Sequence, residues 1–251
     1  MLRNSQTSLQ RNLGGMEKAR LDIATGLRLR RMSDDPTDAA QVVRLGSSMR
    51  AIEQFRRNIR VAEAKASAED TALNSLTDTL SRGLELAIGQ ASSTASAETR
   101  LMVKAEVDAL LNFAVGLGNT RVGDEFIFGG DRAAEAPFRN PAAGDGRLVT
   151  PTHNGTEVFL DTNALEALRG LSEALDTNDV AGISGSIDAL RDAITSVQAV
   201  VGRNGARVNE LETARVSLGD LELTLQSFRS ELRDTAIDEA MIELVGKQTL
   251  Y

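Results

Sequence analysis

The side chains of this chain that could do chemistry are few and far apart. Its single histidine, His153, lies beside the Asn154-Gly155 dipeptide. A histidine-based triad would have to be built in a hairpin tip, so His153 reads as an exposed turn residue. Two carboxylate pairs occur, Asp34-Asp35 and Asp124-Glu125. A metal or acid–base role requires such pairs to converge with other ligands, and nothing at ligand spacing accompanies either. Asp34 fits a turn former and Asp35 a helix cap. Gly123, Gly129 and Gly130 make no phosphate loop, because neither GxGxxG nor Gly-Lys-Ser/Thr follows. The chain has no cysteine, which removes disulfides and thiolate metal sites. Asn154-Gly155-Thr156 matches a glycosylation sequon, a pattern common by chance. No catalytic, cofactor-binding or metal-binding residue can be assigned, and the chain reads as a non-enzyme.

The elements around these residues are long helices. Leu45, Ile52, Ile59, Ala66, Leu73 and Leu80 recur every seven residues, with Phe55, Ala62 and Leu76 between them. In the second half Ile183, Ile187, Leu190, Ile194, Val197 and Val201 step by four and three. After a looser stretch Leu211, Ala214, Leu218, Leu221, Leu225, Phe228 and Leu232 repeat the rhythm. Such ladders specify helices that pack on each other and point to a scaffold or assembly role. Composition agrees: 41% of the 251 residues are hydrophobic but only 3% are aromatic, and helices meeting along aliphatic seams need few rings. No apolar run is long enough to span a bilayer, and the N-terminus lacks the apolar core of a secretory signal.

The net charge of -8 is uneven. Arg3, Arg11, Lys18, Arg20, Arg28, Arg30 and Arg31 against Glu17 and Asp22 give residues 1–31 a charge of +5, leaving -13 on the remainder. A nucleic-acid or anionic-membrane arm would be the sharp interpretation. No aromatics interleave the arginines, however, and the acidic body would repel phosphate, so a solvated or subunit-contacting face is expected and no nucleic acid or membrane insertion is assigned.

Along the chain, Leu9, Leu13, Met16 and Ile23 mark a short amphipathic helix that loses its pattern near Gly26. Ser33-Asp34-Asp35-Pro36 then delivers the chain into the long helix, with Asp35 as cap and Pro36 at the first helical position. That helix is predicted to run to about Gly89, with a return helix from about Leu101 to Gly118, an antiparallel hairpin. Glu125-Phe126-Ile127-Phe128, closed by Gly129-Gly130, reads as a strand. Asp145-Gly146 precedes Arg147-Leu148-Val149, and Asn154-Gly155 separates two further short runs ending at Leu160. Leu165, Leu168, Leu171 and Leu175 mark a short helix, and Ile237, Met241, Leu244 and Leu250 a closing one. The fold expected is mainly α, a long antiparallel helical rod or coiled-coil-like bundle with a small β-rich insertion. Its parts are terminal helical segments at 1–35 and 237–251, a rod at 36–119 and 163–236, and a β-hairpin insertion at 120–162.

Three segments resemble the flagellin-like proteins. The run Ile23 to Pro36 is similar to the family's N-terminal Ser-Gly, Ser-Asp-Asp-Pro stretch, with Gly26, Ser33, Asp34, Asp35 and Pro36 in order and Thr25 where Ser is usual. Gly123 to Gly130, including Glu125, Phe126, Ile127, Phe128 and Gly129, followed by Pro137-Phe138, resembles the Gly-Glu-Tyr-Ile-Phe-x-Gly and Pro-Phe pattern of the hook–filament junction members, with Phe126 replacing Tyr. Asp234 to Met241 is similar to the start of the family's C-terminal helix.

The resemblance implies a secreted, extracellular structural subunit of the bacterial flagellum that needs no cofactor. It would assemble with neighbouring copies of itself into a ring joining the hook, through another hook-associated protein, to flagellin on the filament side. It implies export unfolded through the flagellar export machinery, served by an export chaperone. It also implies terminal helices trimmed at both ends of this chain, a trimming expected to block polymerisation. Arg28, Arg30 and Arg31 are candidate assembly contacts, with ordinary solvation as the alternative. A short flagellin, serving as filament subunit, is the close alternative. A helical signalling module is the remaining one, and it would lack the transition at Thr120.

Overall fold

The computed structural model describes residues 2–92, 95–130, 158–159 and 161–249. These hold six helices and one two-stranded sheet: α1 (Leu2–Thr25), α2 (Pro36–Gln90), α3 (Ala97–Gly118), β1 (Arg121–Val122), β2 (Glu125–Phe126), α4 (Ala164–Asp176), α5 (Val180–Arg233) and α6 (Ile237–Thr249). The mainly α fold expected from the ladders is what forms, with a small antiparallel β element after the return helix. At a rise of about 1.5 Å per residue, the 55 residues of α2 span about 80 Å.

Helix boundaries follow from capping chemistry. Asp35 Oδ1 accepts from the amides of Thr37 and Asp38 at 3.0 and 3.1 Å, occupying donors that have no intrahelical partner. Pro36 stands where a missing amide costs nothing. Ser96 caps α3 by accepting from the Thr99 amide at 3.1 Å. Asp179 does the same for α5, accepting from Ala181 N at 3.0 Å. Gly26 ends α1 in the left-handed region at φ 67°, which costs glycine little.

Two compact units share the long helices: residues 1–58 with 214–251, and residues 59–213. The second holds the core. Leu73, Leu76 and Leu80 of α2 are fully buried together with Val107 of α3, Leu168, Leu171 and Leu175 of α4, and Ile183, Leu190 and Val197 of α5. Helix α4 packs chiefly on α3. At Gly83 the helices approach so closely that a Cβ would stand 2.8 Å from Leu168 Cδ2. In the first unit α1 packs against α6, over a groove of about 890 Å³ lined by residues including Leu13, Met16, Leu21 and Leu244.

Several local expectations need correction. Helix α1 spans 24 residues, longer than its apolar pattern suggests, because packing on α6 supports stretches that the pattern alone would not. The strand expected over 125–128 stops at Phe126, since Phe128 turns inward to be fully buried. Val158 and Phe159, read as strand, sit instead in a helical turn, where the Thr162 hydroxyl donates to the Val158 carbonyl at 2.6 Å. A short apolar run bounded by turn signals fits a buried helical segment as well as a strand. The hairpin at Asn154-Gly155, the turn at Asp145-Gly146, His153 and the Pro137-Phe138 pair lie outside the described residues.

Candidate functional site

The Ser33-Asp34-Asp35-Pro36 segment forms one half of an elbow in the first unit. Asp34 Oδ2 accepts from the amides of Arg30 and Arg31 at 3.1 and 2.8 Å, and the Asp34 amide donates to the Arg31 carbonyl at 3.0 Å. Those bonds from Arg31 and Arg30 hold the Asp34 carboxyl below the usual aspartate range. The other half is the turn between α5 and α6. Leu27 pairs with Asp234 in a single antiparallel bridge. The amides of Arg28 and Leu29 donate to Arg233 O at 2.8 and 3.1 Å, and Thr235 N donates to Gly26 O at 2.9 Å.

Arg28 fastens the elbow. Its guanidinium donates to the Leu232 carbonyl at 2.6 Å and pairs with Asp38 in the first turn of α2. The last carbonyls of a helix lack intrahelical partners and carry partial negative charge, so a guanidinium there satisfies them and favours the helix end. Arg30 pairs with Asp22 of α1 at 3.1 Å. Two of the three arginines are thus engaged within the chain, while Arg31 is exposed beside exposed Met32 and Ser33.

The second motif is the hairpin in the other unit. Register Arg121↔Phe126 and Val122↔Glu125 leaves Gly123 and Asp124 in the turn, and Gly123 takes φ 63°, as the first central position of a primed turn requires. Glu125 pairs with Lys65 of α2. The Arg121 guanidinium lies 4.9 Å from the centroid of the Phe126 ring. Ile127 packs against the core, and Gly129 N donates to Phe126 O at 3.1 Å. Phe128 meets Phe159 edge to face, centroids 5.2 Å apart at 84°. Phe128 and Phe159 are thereby anchored on each other in the core.

The arrangement offers contact surface. Among the described residues no group of three or more His, Asp or Glu could hold a metal ion. The resolved pKa shifts belong to ion-paired or hydrogen-bonded groups. Burial pushes Asp108 up, but hydrogen bonds from Lys104 and Ser172 outweigh it and leave it lowered, while Lys104 is raised by the same bond. Large apolar side chains are instead left in solvent. In the first unit Val43, Phe55, Leu221, Leu223, Phe228 and Ile242 are all exposed. Phe55, Leu221 and Phe228 depart from the buried seam their spacing suggests, for all three are exposed.

Sequence reasoning missed two polar anchors. Arg100 is buried and donates to the Gln90 carbonyl at 3.2 and 3.3 Å, to Ser92 O at 2.9 Å and to Asn178 Oδ1. It ties the end of α2 to the turn between α4 and α5. Asn204, also buried, bonds the backbone of α2. An arginine one turn into an amphipathic helix gives no local sign of burial, but Asn204 breaks an otherwise aliphatic heptad series and could have been noticed.

The bacterial flagellin N-terminal helical region matches residues 1–132. Flagellar hook-associated protein 3 of Escherichia coli (strain K12) is 24% identical over 270 residues, which cover 94% of this chain and 84% of that protein. The flagellar filament 33 kDa core protein of Treponema phagedenis is 24% identical over 261 residues, with 99% and 87% covered. Among solved structures, FlgL of Bacillus cereus has TM-score 0.62 at 19% identity and FlgL of Xanthomonas campestris 0.63 at 16%, each over 74% of this chain and 99% of the other, which shows a shared fold. With more than half of its length matched by the family's helical region, the chain belongs to the bacterial flagellin family, the structural proteins of the extracellular flagellum.

Proposed function

We propose that this chain is the structural adaptor that joins hook to filament, assembling with neighbouring copies into a ring between another hook-associated protein and flagellin. The observation that carries the assembly reading is the set of uncovered apolar side chains on α2, α5 and α6 of the first unit, Phe55, Phe228 and Ile242 among them. Apolar side chains left in water gain free energy when a neighbouring subunit covers them, and heterologous contact repeated around an axis makes a ring when its rotation closes. The hairpin block Glu125 to Gly129 favours the junction role over the filament role, as does Pro36 directly after Asp34-Asp35. Residues 1–35 and 237–251 serve as terminal segments toward the tube interior, 36–119 and 163–236 as the rod, and 120–162 as an insertion facing outward. Arg31, exposed at the elbow, is the arginine left to meet a neighbour. Ordering of the terminal helices on assembly would keep the exported chain from polymerising early; the Gly14-Gly15 pair inside α1 weakens that helix when alone. The flagellar export machinery and an export chaperone are the partners before assembly.

The filament subunit is the second reading, favoured by the full-length similarity to a filament core protein. Immunogold labelling of isolated hook–filament structures separates the two. A single band at the distal end of the hook supports the adaptor, and label along the filament overturns it in favour of the filament subunit.

A further inference from the structure

At the point where burial on α5 ends, the residue facing α2 is polar. From Val197 to Leu232 every seventh residue is aliphatic except one: Val197, Asn204, Leu211, Leu218, Leu225, Leu232. Asn204 is 2% exposed. Its Nδ2 donates to the Ala66 carbonyl of α2 at 2.9 Å, and its Oδ1 is buried with no hydrogen-bond partner among the described residues. Ala66 is the smallest rung of its own ladder, which gives the amide room.

Burial on α5 ends at the same point. Val197, Val200 and Asn204 are buried, and no residue from 205 to 233 is. Gly202 and Gly205 flank the amide, and a Cβ at either would meet nothing within 4 Å. Glycines inside a helix weaken it, and a buried amide oxygen without a donor is unfavourable until water reaches it.

We infer that Asn204 is a built-in break in the α5 seam that uncouples the opening of residues 205–233 from the core above it. An aliphatic rung here would make one continuous apolar seam, so that the rungs below would open only with the core. The amide interrupts that seam. Opening from below exposes Oδ1 to water and stops at the bond to Ala66 O, beyond which Val200 and Val197 belong to the fully packed bundle. Residues 205–233 can then adjust to a covering surface without loosening the core. Local opening in contiguous units is the behaviour such a break produces.

Amide hydrogen exchange on the full chain tests this, residue by residue, in the parent, Asn204→Leu and Asn204→Val. The parent is expected to show a step in protection at residue 204. Both variants, which restore the apolar rung, are expected to slow exchange over 205–218 by about tenfold or more while leaving 183–200 unchanged. Asn204→Val carries the test if leucine overpacks against Ala66 and prevents folding. A parent without the step, or unchanged exchange over 205–218 in the folded variants, overturns the inference. Slower exchange everywhere alike also overturns it, because that is what a merely stabilising substitution gives.

Discussion

Replacing Phe55 with alanine should damage assembly while leaving the fold of the single chain nearly intact. Phe55 lies on α2 and is 57% exposed. An aromatic side chain presents about 200 Å², so roughly 110 Å² of Phe55 remains in water. Covering that area at about 25 cal/mol per Å² gains about 3 kcal/mol per contact, close to a hundredfold in an association constant. The contrast is Phe128, fully buried and edge to face with Phe159, where truncation to alanine should cost about 3–5 kcal/mol of folding stability. Urea unfolding followed by circular dichroism reads folding stability. Restoration of swimming by each variant in cells lacking the gene reads assembly. Phe55→Ala should unfold within about 1 kcal/mol of the parent yet fail to restore swimming; Phe128→Ala should fail in both. If Phe55→Ala lowers stability as Phe128→Ala does, or restores swimming as fully as the parent, the exposed face is not an assembly surface.

Other predictions follow from single bonds. Asp35→Ala removes the cap on Thr37 and Asp38 and should cost about 1 kcal/mol; an unchanged urea midpoint would remove that assignment. Arg100→Ala strips the bond from Asn178 and the buried carbonyls and should cost about 3 kcal/mol, visible as a lowered midpoint. Asp34 has a folded pKa below its ordinary value of 3.8, so its contribution is present above that value and lost as pH falls through the lower folded one. Amide protection of Arg30 and Arg31 should therefore hold at neutral pH, collapse in strong acid, and lose its acid transition in Asp34→Asn. A transition that persists unchanged in the variant would assign it to another carboxylate.

Much of this architecture could be read from the residues because its causes are local. The start of α2 is written in Asp35-Pro36, and the buried seam in the seven-residue spacing of Ile52, Ala66, Leu73 and Leu80. What was not legible depends on residues far apart in the chain. Phe55 and Phe228 carry the same spacing as buried rungs, yet both are exposed, since periodicity marks a face of the helix and not what covers it. Val158 and Phe159 look like strand residues but sit in a helical turn, where Phe159 meets Phe128, thirty-one positions earlier. The elbow was visible only by half: Asp34 and Asp35 announce a turn and a cap, whereas the carbonyls of Leu232 and Arg233 that accept from Arg28 and Leu29 lie some two hundred residues away.

The adaptor role is tested most directly by deleting the gene in the source organism, then assaying the culture medium for flagellin and viewing the cell surface by electron microscopy. Bare hooks with flagellin monomers shed into the medium are the predicted result, since filament subunits would be exported with nothing to grow from. Intact filaments, or missing filaments without shed flagellin, would contradict it, and the latter would make this chain the filament subunit itself.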